Sequence, residues 1–400
     1  MTVKATSADA PAVLAAADAL LPWLIEIRRD LHRHPELGLE EHRTSARVRA
    51  VLDELGVEHV DGLGGTGVLG ILRGRPGRVA ALRADLDALP LHDAKDVPYR
   101  SQVAGKMHAC GHDVHTTILL GAARLLAGLG EALPGTVKLL FQPAEETVGG
   151  ARLLIEAGVL DDPPVDAVFG LHVEPDLEVG RFGVRYGQRN ASSDTIALTV
   201  HGRSCHAAYP AAGVDAVVVA AQVVSALQTI VSRNVDARDA AVLTFGTIRG
   251  GSQHNVVAAR VELTGTVRSL DPAVRERVLR RLRETAEGVA GALGGRAEVA
   301  VEPGYDPLVN HDAMVEVVRR NAAALAGADG VVVIDRANMG VEDFAYYLRR
   351  VPGAFFSLGV RNEAMGIVHP IHQELFDVDE RCLAYGVAIQ ALNALAVLEG

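Results

Sequence analysis

The sequence predicts an α/β protein: a mostly parallel, mixed sheet flanked by helices, with a smaller α+β domain of the split-βαβ, ferredoxin-like kind inserted into it. Three observations lead there. The chain has 400 residues, 49% of them apolar and only 4% aromatic, which suits about two domains with ample core. Strand-like runs alternate with helical ones at both ends of the chain, as in a parallel sheet covered by helices. In the middle the rhythm changes to β-α-β-β-α-β, the order of a split βαβ sandwich.

The elements follow in order. "APAVLAAADALLPWLIEIRRDLHRH" reads as an amphipathic helix. "GTGVLGILRG" and "RVAALRADLD" read as neighbouring strands. In "KMHACGHDVHTTILLGAARLLAGL" the apolar residues recur at helical spacing from Thr116, with Asp113 or Thr116 available to cap the first turn. The strand "TVKLLFQPAEE", the helix "ARLLIEAGVL" and the strand "DAVFGLHVEP" come next, before the turn-rich "EVGRFGVRYGQRNASSD" breaks the pattern. The middle block then runs as strand 195–201, helix 214–231, strands 242–248 and 256–267, helix 272–293 and strand 297–301. Around "GYDPLVNHD" the α/β pattern resumes. One domain is therefore expected from residues 1–186 with 304–400, and the inserted one from 187–303. No internal repeat or low-complexity tract interrupts them.

Composition narrows the function. The formal charge is -11, from 50 acidic and 39 basic residues spread along the chain, so a cationic face for nucleic acid is not expected. The three cysteines, Cys110, Cys205 and Cys382, are odd in number and far apart, which suits a reducing, cytoplasmic address. The apolar opening carries Asp18 and lacks a basic leader, so it is read as a helix and not as a signal peptide. No uninterrupted apolar run is expected to reach the length of a membrane span.

Open α/β sheets bind ligands at the carboxyl ends of their strands, and polar residues gather there. One strand run finishes in Asp85 and Asp87, another in Glu145 and Glu146, and a third in His172. Cys110 and His112 precede a helix, and "GIVHPIHQELF" offers His369 and His372. Singly, each has a bland reading: a turn aspartate, a solvated helix start, a satisfied core histidine, a small buried cysteine. Jointly, five segments deliver thiol, imidazole and carboxylate groups, a mixture that suits Zn, Mn, Co or Ni and not Mg or Ca. The donors exceed one tetrahedral ion and fit two sharing a water, with one carboxylate left over as a base. The competing reading, Cys110 as a nucleophile activated by nearby histidines, leaves Glu145, Glu146, His172 and His372 without a purpose.

With these residues in view, the sequence resembles the two-metal amidohydrolases that include hippurate hydrolases, auxin-conjugate (IAA-amino acid) hydrolases and N-acyl-L-amino acid amidohydrolases, with aminoacylases and carboxypeptidases as more distant relatives. The resemblance runs through "RRDLHRHPELGLEEHRT", "RADLDALP", "MHACGHDVHTT", "FQPAEE", "GLHVEP", "GTVRSLD", "MGVEDFAYY" and "HPIHQELFDVDE". It implies two divalent ions per subunit, Mn or Zn before Co or Ni, held by Cys110, His112, Glu146, His172 and His372. It implies Glu145 as general base and Asp87 as the aspartate supporting the site from behind the ligands. The 187–303 domain corresponds to the family's lid and dimerisation domain, in which the histidine of "HAAYP", His206, polarises the scissile carbonyl. Asn255 and Arg268 are the nearest matches to lid residues that face substrate, and read equally well as a turn asparagine and a surface arginine.

Departures bear on detail. Gln373 and Glu374 follow His372 where the family has a small residue and a proline; His372 is still preferred to His369 because "HP-x-H" and "F-x-x-D" keep their spacing. Many relatives have methionine or another apolar residue at the position of Arg189 or Asn190, so a more polar pocket is expected. Cys205, beside His206, is read as a packing residue. The expected activity is hydrolysis of the amide of a small-molecule N-acyl amino acid, with a carboxypeptidase or dipeptidase, a deacetylase of an N-acyl diamino acid, or an inactive binding relative as alternatives. Relatives of this kind are often homo-oligomers, dimers or tetramers.

Overall fold

The computed structural model describes residues 9–400; the expectation of a missing basic leader falls largely on residues 1–8 and lies outside them. The chain forms two compact units, one of residues up to 187, 310–335 and 346–400, the other of residues 188–309 and 336–345.

The first unit opens with α1 (Ala10–Ala19) and α2 (Leu21–Arg33). The sequence reads them as one helix, but they bend by 59°. Pro22 lies in the first turn of α2, where its missing amide hydrogen is tolerated, whereas a helix interior would lose a bond to it. Next come α3 (His42–Glu54), β1 (Glu58–Leu63), β2 (Gly67–Arg73), β3 (Arg78–Asp85), α4 (His112–Ala127), β4 (Gly135–Gln142), α5 (Gly150–Glu156), β5 (Ala167–Glu178) and β6 (Phe182–Val184). The stretch read as turn-rich therefore holds β6, then β7 (Gly187–Asn190) and the start of β8 (Ser192–His201). α6 (Ala216–Thr229), β9 (Ala241–Gly250), β10 (Arg260–Ser269), α7 (Pro272–Ala292) and β11 (Arg296–Pro303) follow. The chain closes with β12 (Leu308–Asn310), α8 (Asp312–Ala326), β13 (Val331–Val333), α9 (Ala345–Leu348), β14 (Gly353–Arg361) and α10 (Cys382–Glu399).

Eight strands of the first unit form a sheet in the order β1-β2-β4-β3-β5-β14-β6-β13. Its centre, β4-β3-β5-β14, is parallel, and the strands β1, β2 and β6 add antiparallel pairings. This is the mixed α/β sheet expected. The expected adjacency of β2 and β3 does not hold: β4 lies between them, antiparallel to β2 and parallel to β3. The turn after β2 crosses the start of β4, with Gly74 N–H donating to Gly135 O and Arg75 N–H to Leu133 O.

α4 also starts earlier than its apolar periodicity suggests. It begins at His112 without a side-chain cap, because Asp113 is drawn to Arg28 and His32 and the Thr116 hydroxyl donates to Asp85 O. In the second unit the sheet order is β11-β8-β10-β9, all antiparallel, which is the split βαβ pattern read from the sequence. Its core is separate, built from residues such as Ile196, Val223, Leu263 and Leu282.

Among the described residues two helices, α10 and α6 with the turn extending it to Asn234, are long and apolar enough to cross a membrane by length and composition. That corrects the expectation that no run reaches this length. α10 has another reason to be apolar all round: 83% of its window is buried, against α1, α4, α8 and β3.

α4 and α10 approach closely at Gly121, where an added Cβ would lie 2.4 Å from Val387 Cγ2 and 2.8 Å from Leu24 Cδ2. Gly121→Ala sets two effects against each other, about 1 kcal/mol of gained helix propensity and about 1–3 kcal/mol of overpacking. The contact distances favour the second. Denaturant unfolding should show Gly121→Ala less stable than wild type, and a stabilised variant would mean the helices can separate.

Candidate metal centre

Because β3, β4 and β5 are parallel, their carboxyl ends share one edge of the sheet. β3 ends at Asp85, with Asp87 two residues on. β4 is followed by Pro143 and by Ala144, which is left-handed (φ 53°) and donates its N–H to Glu41 Oε1 at 2.8 Å. This turn presents Glu145 and Glu146, and β5 carries His172. Gly111 separates Cys110 from His112 at φ 83°, and a Cβ there would lie 2.5 Å from Val173 Cγ2, so the turn admits no side chain. His372 is also left-handed (φ 60°), and its N–H donates to Ala109 O at 2.8 Å.

These turns bring the donors together. Cys110 Sγ lies 3.3 Å from His172 Nε2 and 3.2 Å from His372 Nε2, and His372 Nε2 lies 3.2 Å from Glu146 Oε1. Cys110, His112 and His172 form one set with donor atoms within 4.8 Å of one another, and Cys110, Glu146 and His372 form another. The sets share the Cys110 sulfur. His112, Glu145 and Glu146 form a third, which puts Glu145 beside the donors. His369 enters none of these sets among the described residues.

Neighbouring groups turn the lone pairs inward. His112 Nδ1 faces Asp87 O at 2.8 Å and Asp87 Oδ1 at 3.2 Å; both accept, so Nδ1 carries a proton. His112 Nε2 is buried with no hydrogen-bond partner, the state expected of a nitrogen reserved for a cation. His172 Nδ1 donates to Val173 O at 2.7 Å, which leaves its Nε2 to face Cys110. Asp87 does double duty, its Oδ2 accepting the Glu146 N–H at 2.9 Å.

The other two histidines of "MHACGHDVHTT" serve differently. His115 Nδ1 bonds Asp85 Oδ1 at 2.6 Å and its Nε2 accepts the Val173 N–H at 3.0 Å, so both nitrogens are engaged in structure. His108 is buried, and burial pushes its pKa down to about 3. Glu41 is a residue that pattern reading passed over. It lies within the "HPELGLEE" stretch, and its carboxylate holds both Ala144 N–H and the Thr66 hydroxyl. An acid in a segment with no evident purpose was the available signal.

The electrostatics match a cation site. Burial opposes the charged form of His112, but Asp85, Asp87 and Glu146 outweigh it and lift its pKa to about 10. Burial, reinforced by Glu146, Glu145 and Asp85, pushes the Cys110 thiol well above its ordinary value. His172 goes the other way, down to about 3, through burial and the proximity of His115. Burial works against the Asp85 carboxylate, yet His112, Arg83 and His115 hold it well below the usual range. The positive charge favoured on His112 offsets the carboxylates of Asp85, Asp87 and Glu146 around it.

In the second unit, His206 and Asn255 lie on adjacent segments, since Ala207 N–H donates to Asn255 O at 3.0 Å. His206 Nδ1 accepts the Ala208 N–H at 3.1 Å, which leaves the ring proton on Nε2. Arg268 sits near the far end of β10 from Asn255, paired with Ser193 and Val242 and donating to the Thr266 hydroxyl at 2.7 Å.

The model of peptidase family M20/M25/M40 matches residues 81–395 of the chain. N-acetyl-L-cysteine deacetylase of Bacillus subtilis is 43% identical over 362 residues, 90% of this chain and 84% of that one. IAA-amino acid hydrolase ILR1-like 4 of Arabidopsis thaliana is 37% identical over 389 residues, 96% of this chain and 88% of that one. Among solved structures, the Bacillus subtilis YXEP protein, described as a dinuclear metal-binding peptidase of the M20 family, is 36% identical and superposes with a TM-score of 0.85, covering 96% of this chain and 99% of its own.

Metal uptake should release protons from Cys110 and His112 and so tighten as pH rises from 6 toward 8. Calorimetric titration with Mn or Zn in buffers of different ionisation enthalpy reads the released protons directly, and a pH-independent affinity would contradict the assignment. Asp87→Ala should weaken metal binding by about 10- to 100-fold, measured in the same titration.

Proposed function

The chain belongs to peptidase family M20/M25/M40, and from that premise we propose that it hydrolyses the amide of small N-acyl amino acids. It is a hydrolase of amide bonds whose family and dinuclear relatives support two divalent metal ions. The observation that carries the finer reading is the pair of overlapping donor sets that share Cys110, with Glu145 alongside. In this reading Cys110, His112, Glu146, His172 and His372 hold the ions. Thiolate, imidazole and carboxylate together suit Mn or Zn. When bound, the ions supply Lewis acidity to a water and to the substrate carbonyl.

The protein groups do the rest. Glu145 takes a proton from the attacking water and returns it to the amine nitrogen as the C–N bond breaks. Asp87 keeps His112 and the Glu146 backbone in register. His206, with its ring proton on Nε2, serves as hydrogen-bond donor to the carbonyl oxygen as charge develops there. The substrate class is supported by the two relatives named for hydrolysis of an acylated amino acid. Asn255 and Arg268 are assigned to substrate binding with the rest of the lid, the role proposed here for the second unit. A cytoplasmic address accords with three cysteines that all remain free thiols.

Glu145→Gln should bind metal normally and lose about 100- to 10,000-fold in kcat, read by metal analysis beside an assay of acetyl-, benzoyl- and longer acyl-amino acids with dipeptides as controls. A fully active variant would remove Glu145 as base. His206→Ala should lower turnover with metal content intact; loss of half the metal would make it a ligand. Chelation should abolish activity and thiol alkylation of metal-loaded protein should not, the reverse of a cysteine hydrolase.

A further inference from the structure

"RRDLHRHPELGLEE" supplies no donor to the centre, yet it supplies Arg28, which with Arg83 is one of two arginines among the largest fully buried side chains of the described residues. Arg28 stands on α2 with three carboxylates around it. Its Nε donates to Asp113 Oδ2 at 2.9 Å, its Nη2 to Asp377 Oδ1 at 3.1 Å and its Nη1 to Glu380 Oε1 at 3.3 Å. The guanidinium lies 4.8 Å from the centre of the Tyr99 ring. Asp113 immediately follows His112, and Asp377 lies on the loop that follows His372. One buried fork therefore holds two segments that each carry a donor.

Two features separate this from general adhesion. Buried ion networks seldom raise stability over an apolar replacement, and their best-attested use is to fix register. Moreover, His372 is left-handed and its side chain is 49% exposed, so little packing holds it in that strained form. Backbone bonds hold the loop at two points, His372 N–H to Ala109 O at 2.8 Å and Ala94 N–H to Glu374 O at 3.0 Å, and side chains anchor it just beyond: Tyr99 Oη donates to Asp377 Oδ2 at 2.7 Å, Lys95 Nζ donates to Phe376 O at 2.8 Å, and Arg28 grips Asp377 and Glu380. We propose that Arg28 is a positioning residue, clamping the His372 loop to the turn that carries His112 so that the two donor sets meet on Cys110. The inference rests on the reading that these residues hold metal.

The test loads the full-length protein with Co(II) and follows its ligand-field absorption and stoichiometry. Arg28→Met should weaken one of the two cobalt sites by about 10- to 100-fold and change the spectrum as His372→Ala does, and the double variant should be no worse than His372→Ala alone. Arg28→Lys keeps the charge without the fork and should share the defect; full rescue by lysine would overturn the clamp. A lower melting temperature with an unchanged cobalt titration would also overturn it, reducing Arg28 to a structural group. If Arg28→Met does not fold, Tyr99→Phe removes only the hydroxyl on Asp377 and should weaken the same site in the same direction, while an unchanged titration refutes the proposal. Failure of the metal reading itself looks different: wild type would take up no cobalt, or His172→Ala would leave its spectrum unmoved.

Discussion

A neutral imidazole has one lone pair to give, and the arrangement around Cys110 depends on where each lone pair points. Val173, an apolar residue of β5, settles much of this. Its carbonyl accepts the Nδ1 proton of His172, so His172 Nε2 faces the cysteine. Its amide donates to His115 Nε2, which removes that nitrogen from ligand duty. Its side chain lies where a Cβ at position 111 would fall, which keeps the Cys110–His112 turn a glycine turn. Two histidines three residues apart on α4 thus have different fates: His112 Nε2 has no hydrogen-bond partner, and His115 becomes a strut between β3 and β5.

Gathering donors in this way has energetic costs that are met locally. Ala144 and His372 both adopt left-handed backbone, at a cost on the order of 1 kcal/mol each. Glu41 holds the first through its amide, and Ala109 O holds the second. Asp85 is fully buried, and Arg83 Nη1 at 2.6 Å together with His115 keeps it ionised. The start of α4 gives up ordinary capping because Asp113 and Thr116 are committed to Arg28, His32 and β3. Local rules for helices and backbone yield where the donors converge, as expected where function competes with regular structure.

Much of the fold was legible because periodicity is local. The alternating runs at 78–87, 136–146 and 166–175 contain β3 and cover most of β4 and β5, and the second unit follows the β-α-β-β-α-β order read from its pattern. The misreadings share one cause. Strand adjacency is not a local property, so β4 could come between β2 and β3 without any trace in either. The bend at Leu20 and the early start of α4 were missed because apolar spacing does not report a proline's missing amide or a cap whose side chain is engaged elsewhere.

The sequence by itself determined the kinds of donor, the strand ends that carry them and the family whose order of motifs it keeps, since these follow from residue identity and short-range spacing. Only the tertiary structure decided which donors converge, which histidine is a strut, and that Arg28 reaches across 85 residues to Asp113 and 349 to Asp377. The reason is physical. A side chain's chemistry belongs to its residue, but the direction of a lone pair and the partner of a buried charge belong to neighbours that the chain brings near only when it folds.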